Sequence, residues 1–544
     1  MPSNFFAHHS QGIFPMIPRT ALTQLAKLLA DDLSEGHVGG ELRNIGEALA
    51  SAPGSILDLL DLMAKEARKK RPNQALLDAF AFMLGQSLEV LRYGVESNAT
   101  EAVEAVSAAR AHVRSLALEG KLDTDILLLM LRQFTGAKLE LGDDLQEVMA
   151  GLLDQEQVSA LPGAVEIGEV LADMARACGG DVFALYAELA EQTSALPESH
   201  RAGIVAALLA APDPSLREAA IGWLLDPGAA ARRDTAGLLQ QAAAAGHVSA
   251  TMLRRMIAIR NWLPDDERPA VDAVIRACRQ NGVDCAPSAA ALVRDVLATA
   301  IDGSGAQSLF LMVKDGRRQA VAALLLKRGI GVRDAWVNGG LGKADADMFL
   351  FQVETQTDCY DGDIDHVRLL LGHALAEAGK SGVLPPFGLV DVIERAGLTT
   401  VNPEAITLDS LLAGLLADIP AERRTPAMVA GAINASAAWE DYFPFMDSWF
   451  EDDGAIAELL NGKRMSAKGR VALLLDKYLP ARRARWAELL AWTALTLRQD
   501  ESTEEDWMNF ALVAHEILGD RPLADIPVMT KIAGKTVEAW QSRR

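Results

Sequence analysis

Apolar residues recur at helical spacing along most of the chain, and frequent stops cut the runs short. Thr20 caps a stretch in which Leu22, Leu25, Leu28, Leu29 and Leu33 share one face, closed by Gly36. Asp213-Pro214-Ser215 sets a cap before a proline at the first helical position. Leu216, Ala220, Trp223 and Leu224 then form a stripe that ends at Asp226-Pro227-Gly228. Further helices are predicted from about Ala230 to Gly246, from Ser249 with Leu253, Met256 and Ile257 inward, and from Asp266. The last carries Val271, Val274, Ile275 and Cys278 on one face and stops at Asn281-Gly282. No alternating run around an Asn-Gly or Asp-Gly pair predicts a hairpin. The pattern predicts an all-α protein.

The first and third of these helices start 36 residues apart (213 to 249), as do the second and fourth (230 to 266). Helix pairs at such a period suit an α-solenoid, where each pair buries its face against its neighbours. Ser215-Leu216-Arg217-Glu218-Ala219-Ala220, followed by Trp223-Leu224-Leu225, resembles the first helix of a HEAT-like or armadillo-like repeat over about 213–282. The resemblance implies a fold and brings no functional residue with it. The expected class is therefore a helical-repeat (α-solenoid-like) array of antiparallel helix pairs with an additional C-terminal helical block. An irregular helical array is the alternative, because the Ala-rich faces also suit tight bundles.

Breaks divide the chain into an arm (1–18), a helical block (19–161), solenoid-like pairs (162–302), a helical segment (303–388) and a Trp-rich C-terminal block (389–544). Leu161-Pro162-Gly163 reads as a joint and Asp302-Gly303-Ser304-Gly305 as a flexible break. Lys380 to Gly388 is a Pro/Gly linker. Trp439, Trp449, Trp486, Trp492, Trp507 and Trp540 lie beyond residue 401, against Trp223, Trp262 and Trp336 before it.

Composition narrows the classes. Half of the 544 residues are hydrophobic, too many for a disordered chain, and four cysteines are too few for a disulfide scaffold. Sparse thiols and an N-terminus without a charged or continuous apolar region predict a cytoplasmic protein; Phe5, Phe6, Phe14 and Ile17 suggest an arm packed on the body. Arg132 and Gln133 break the run Ile126 to Leu131, so no membrane insertion is expected. Asp+Glu 74 against Lys+Arg 52 leaves a net charge of −22, a field that repels phosphate except at a basic patch set apart.

Candidate chemistry is sparse. Gly339-Gly340-Leu341-Gly342-Lys343 resembles a phosphate loop, but Val337 stands where its first glycine belongs and Ala344 where its hydroxyl belongs. Gly379-Lys380-Ser381 has the hydroxyl but follows a predicted helix. The run Asp358-Cys359-Tyr360-Asp361-Gly362-Asp363-Ile364-Asp365-His366, with His373 beyond it, mixes carboxylates, a thiol and imidazoles. Asp361, Asp363, Asp365 and His366 are its weak metal candidates. As a calcium loop it lacks the sixth-position glycine and twelfth-position glutamate, and capping of the next helix is its commoner meaning. No nucleophile–base motif and no cofactor motif occurs, so neither catalysis nor a cofactor is expected.

Two basic stretches stand out. Lys314, Arg317 and Arg318 precede Leu324 to Arg328 and Arg333, read as a helix whose N-terminal cations oppose its dipole. Lys463 and Arg464, Lys468, Arg470, Lys477, Arg482, Arg483 and Arg485 adjoin Tyr478 and Trp486, the basic-plus-aromatic mixture of nucleic-acid surfaces. Trp439, Tyr442, Phe443, Phe445, Trp449 and Phe450 alternate with acids around Pro444 and form a candidate docking segment. The function expected is a non-catalytic cytoplasmic interaction or scaffold protein with a protein partner. The alternatives are a nucleic-acid-associated factor using the two basic stretches, and an enzyme with an acidic site at Asp361 to His373.

Overall fold

The computed structural model describes residues 16–34, 46, 48–96, 99–157, 164–287, 292–398, 401–461, 465–503 and 505–542. Most of the expected arm, the stop at Gly36, the joint at 161–163 and the pair Lys463 and Arg464 lie outside the described residues. The chain forms two compact units, residues 1–170 with 186–201, and residues 171–185 with 202–544.

The first unit is helical. Helices Arg19–Ser34, Ser55–Ala67, Gln74–Glu96, Thr100–Leu118, Thr124–Gly136 and Asp143–Gln157 enclose a core that includes Phe80, Leu84, Leu127 and Phe134. The apolar run at Ile126 to Leu131 is the buried face of the fifth of these, and Asp123 caps it by accepting the Ile126 N–H at 2.9 Å. Leu22 and Leu29 face inward as the spacing predicts, whereas Leu28 is exposed.

The second unit begins its sequence-legible part with Pro214–Ala219, which runs on as a 3-10 turn to Leu225, then Ala229–Ala244, Ala250–Arg260 and Arg268–Gln280. Asp213 and Ser249 cap the first and third, as expected. The second and fourth are joined by a buried bidentate pair, Arg232 to Glu267 at 2.5–2.6 Å, whose guanidinium also donates to the carbonyls of Asp226 and Pro227.

The chain is mostly helical, but it is not all-α. Residues 292–361 contain a five-stranded antiparallel sheet: β1 (Leu292–Thr299), β2 (Ala306–Asp315), β3 (Arg318–Lys327), β4 (Gly331–Leu341) and β5 (Cys359–Asp361), in the order β4-β3-β2-β1-β5. The β2–β3 hairpin turns at Gly316-Arg317, where Gly316 has φ +60 and Asp315 pairs with Arg318 across the turn. Its strands do not alternate apolar with polar because both faces are covered. Leu309, Leu311, Ala320, Ala322 and Leu324 point to one side and are buried. Met312 and Val321 pack on the other against Ala346 of the helix Lys343–Gln356. Arg317 and Arg318 therefore sit at a hairpin turn, and the opposition to a helix dipole disappears with the helix.

Close backbone approaches fix the sheet against its neighbours. Gly331, at φ +116, lies so near the helix Ile364–Ser381 that a Cβ would stand 2.6 Å from that of Ala378. A Cβ on Gly388 would meet the Ala335 carbonyl at 2.0 Å. The turn at 302–305 is tightly packed: a Cβ on Gly303 would fall 1.8 Å from the Ser448 carbonyl, and the Gly303 N–H donates to the Ser448 hydroxyl at 2.9 Å. Beyond the sheet the chain is helical to Ser542, around Arg483–Leu497, which is buried almost all round from Trp486 onward.

Gly303→Ala is expected to lower unfolding free energy by about 3 kcal/mol or more, because backbone rather than a flexible side chain must move. Gly237→Ala, on an exposed helical face with open space around it, should raise it by about 0.5–1 kcal/mol. Urea denaturation of both variants checks the pair.

Candidate functional site

The acidic run at 358–366 ends one element and begins another. Asp361 belongs to β5, and its N–H donates to the Asp500 carboxylate at 3.1 Å. Asp363 caps the helix Ile364–Ser381 by accepting the His366 N–H at 2.7 Å, and Asp365 pairs with Arg368 one turn on. The capping meaning of this run is the one the fold uses.

Helical spacing carries His366 and His373 into the interior on one face of that helix. The His373 ring lies 4.6 Å from the Trp492 ring, and its Nδ1 accepts the Ile406 N–H at 3.0 Å. One turn further, Glu377 accepts the Gly329 N–H at 2.9 Å and stands 3.6 Å from His373 Nε2. Gly329 follows Arg328 in the β3–β4 turn, and the Arg328 guanidinium lies 4.0 Å over Trp492 and 3.9 Å from Glu377. Glu488, one turn before Trp492, completes the group: His373, Glu377 and Glu488 each bring a ligand-type atom within 4.8 Å of the others.

Burial sets the electrostatics. The Arg328 side chain is only 9% exposed, and burial pulls its pKa down to about 10 against the opposing pull of Glu377 and Glu488. Burial pushes the Glu377 carboxyl up, but the His373 ring, Arg328 and the Gly329 amide together hold it below the ordinary range. His366 is driven down to about 4, chiefly by burial, with Asp363 opposing and Arg498 and Arg328 assisting. Both terminal nitrogens of Arg328, one Glu377 oxygen and the Nε2 atoms of both histidines are buried without a hydrogen-bond partner.

The donor set does not suit a metal ion. A backbone N–H only donates, so His373 Nδ1 is the acceptor and the neutral ring keeps its proton on Nε2, the atom that faces the carboxylates. Arg328 already supplies the positive charge that two half-buried glutamates require. The arrangement is an ion cluster that fastens the β3–β4 turn to two helices. His373 is visible in the sequence as a candidate; Arg328 and Trp492 stand out there only as part of a basic stretch and of a Trp-rich block, Glu377 and Glu488 not at all, and the His-x-x-x-Glu spacing of 373 and 377 is the available signal.

The aromatic segment and the second basic stretch meet each other. Trp439 stacks on Phe510 at 3.9 Å, with Phe443, Phe445 and Trp449 grouped around the same ring. Trp449 also donates its indole N–H to the Ile301 carbonyl. Trp439, Phe443 and Trp449 are buried, Phe445 and Phe450 are half-buried, and Tyr442 is exposed. Between segment and stretch, buried Glu451 accepts a bidentate pair from Arg482 at 3.0 and 3.1 Å and the Trp486 indole N–H at 2.8 Å, with Arg485 at 3.5 Å. Arg483 donates to the carbonyls of Ile517, Gly519 and Arg521, which end the next helix. Arg470 lies over Trp540, and Lys468 is exposed.

The outer side of the sheet is different. The helix Lys343–Gln356 fully buries only Ala346. Phe349 turns inward to Phe310 and Trp336, but Met348 is 57% and Phe351 64% exposed. Arg317 and Arg318 are exposed at the adjoining hairpin turn, where Arg318 donates to the Gly340 carbonyl at 3.3 Å. Gly339 to Lys343 do link a strand to a helix, yet Asp345 stands over that N-terminus, 2.9 Å from where a Gly342 Cβ would lie, and a carboxylate there opposes phosphate.

A helical protein built on an antiparallel sheet, clamped by buried ion clusters and open on one apolar face, is the class these features define. Residues 197–282 match the Y4lR second domain and residues 409–541 the Y4lR C-terminal helical domain. The uncharacterized protein y4lR of Sinorhizobium fredii is 31% identical over 386 residues, 70% of this chain and 73% of the relative. The chain belongs to the Y4lR family. No solved structure matches it.

Two outcomes follow for the cluster. Arg328→Met leaves Glu377 and Glu488 facing each other and should cost about 3–5 kcal/mol, while Arg328→Met with Glu377→Gln and Glu488→Gln should recover most of the loss; urea midpoints compare them. For His366 the folded pKa lies below the unfolded value of 6.5, so the folded state binds fewer protons. Its stability contribution is whole above pH 6.5 and falls by roughly 3 kcal/mol as the pH drops through about 4. In His366→Gln the slope of stability against pH over that window should be shallower.

Proposed function

We propose that the chain is a non-catalytic protein-interaction protein of the cytoplasm. Its binding face is the outer side of the sheet with the helix Lys343–Gln356. The observation that carries this reading is the outward pair Met348 and Phe351 on a helix that fully buries a single residue. Exposed apolar side chains grouped on one element mark interaction sites, and Met and Phe are enriched among interface anchors. Trp336 and Leu325, both partly exposed, extend the patch, and Arg317 and Arg318 stand at its rim. The helix pairs of 214–280 suit a scaffold role in the solenoid manner, since such pairs present extended surfaces to a partner. The free thiols of Cys278, Cys285 and Cys359 agree with a reducing compartment. Among the described residues no helix is long and apolar enough to cross a membrane.

Capture from the native host with tagged wild-type chain and with a Met348→Asp/Phe351→Asp variant tests the reading. Proteins that co-purify with the wild type, further copies of the chain included, should be lost from the variant while its melting temperature stays within a few degrees. An unchanged set of captured proteins refutes it.

A further inference from the structure

We propose that the basic turn Arg68 to Arg71 of the first unit is a docking site for a short acidic peptide segment of a partner protein. This surface is separate from the face of the sheet just described and does not depend on it.

Residues 65–71 hold Lys65, Arg68, Lys69, Lys70 and Arg71 against one acid, Glu66, in a chain whose net charge is −22. All five cations are exposed. Elsewhere in the same unit Arg19, Arg92, Arg114 and Lys121 each stand within 3.5 Å of a carboxylate. At the turn Lys69 alone is matched, by Glu66; among the described residues Lys65, Arg68, Lys70 and Arg71 have no ion pair. A helix C-terminus offsets about half a unit of positive charge, far less than this group carries. Four cations left together and unmatched in an acidic chain hold a local field that attracts anions.

The turn is also fixed before any partner arrives. Glu66 is buried and accepts both the Lys69 ammonium and, at 3.2 Å, the Asn73 N–H. Asn73 in turn caps the helix Gln74–Glu96 by accepting the Leu76 N–H at 3.2 Å. Pro72 restricts the backbone just before that cap. Little chain freedom therefore remains to be lost on binding.

The surroundings name the partner. Helices Ser55–Ala67 and Thr100–Leu118 both pack on Gln74–Glu96, which short links join to each, so the two run in the same direction. Asp61 and His112 meet at 2.8 Å, and six residues beyond that contact the helices end, at Ala67 and Leu118. Leu118, 62% exposed, thus lies at the same end as the basic turn. Arg68 to Arg71 cover at most about 11 Å of chain, and residues 74–157 that follow hold six Lys and Arg against fourteen Asp and Glu. A nucleic-acid strand or an anionic bilayer extends well past that width and meets those acids, and neither has a use for Leu118. A peptide with two or three Asp or Glu beside one apolar residue fits within the patch and uses both features.

Fluorescence anisotropy of the full chain with a labelled peptide of about ten Glu and Asp residues around a central Leu tests this. Binding should show a Kd on the order of 10–100 µM, since exposed pairs are individually weak, and should weaken about fivefold or more between roughly 50 and 300 mM salt. Arg68→Glu/Lys70→Glu/Arg71→Glu should weaken it about tenfold or more with an unchanged melting temperature, and the Gln counterparts at the same positions should fall between. Met348→Asp/Phe351→Asp should bind the peptide as the wild type does, which keeps this inference distinct from the reading of the sheet face. Absence of peptide binding at low salt overturns the inference, as does equal binding by the Glu variant. Tighter binding of single-stranded DNA or of phosphatidylserine vesicles than of the peptide also overturns it, by giving the turn to another class of partner.

Discussion

A guanidinium taken out of water has to be answered by carboxylates brought to the same place, and Arg328 imposes that requirement on the second unit. Its β3–β4 turn delivers the charge, the helix Ile364–Ser381 delivers His373 and Glu377, and Arg483–Leu497 delivers Glu488 and the Trp492 ring beneath it. None of these elements can shift without leaving a buried charge unmatched, a loss of several kcal/mol where apolar contacts alone would slide at little expense. The neighbouring approaches agree with this. Gly331 against Ala378, and Gln307 donating to both the Thr299 carbonyl and the Thr496 hydroxyl, hold the sheet at one distance from the same two helices. The cluster specifies register more than it adds stability.

Glu451 repeats the device with the signs exchanged. Here the buried carboxylate is single, and Arg482, Arg485 and the Trp486 indole converge on it. A third case, Glu394 accepting from both Arg254 and Arg255, ties the helix Ala250–Arg260 to Gly388–Ala396. Polar groups at element junctions, and small residues where backbones cross, divide the work in a chain poor in aromatic side chains. Among the described residues the outer helix Lys343–Gln356 shows no such tie; Ala346, Leu350 and two aromatic contacts of Phe349 seat it, which leaves its far side available.

Much of the helical architecture was legible because caps and periodicity are local. Asp213, Ser249 and Asp363 do what their neighbours in sequence say they should. The sheet was not legible, and the reason is burial on both sides: Leu309 to Val313 and Ala320 to Leu324 read as continuous apolar runs, which period-two reasoning discards and helical reasoning accepts. The Asp315-Gly316 pair was the available signal, masked by the cations after it. For the site, the sequence offered His366 and His373 but could not bring Arg328 and Glu488 to them, since contact across such separations leaves no spacing. The aromatic segment was conspicuous for its composition. Its rings gather on Phe510 and its acid takes the arginines of the basic stretch, so two features that looked like surfaces for others meet each other.

The separation of Arg328 from Glu488 has a meaning in time as well as in space. The ribosome adds about 5–20 residues per second, so the roughly 160 residues between them take on the order of 8–30 s to appear. Through that interval Arg328 waits for Glu488 and the Trp492 ring, and Gln307 for the Thr496 hydroxyl. The hairpins of 292–341 are local enough to close early, and the helices Ile364–Ser381 and Gly388–Ala396 can cover their inner side soon after, but the Arg328 cluster is complete only when nearly nine-tenths of the chain has emerged. The last polar ties of the sheet are thus postponed to the end of synthesis, and a nascent sheet with an unmatched cation is the species that precedes the finished unit.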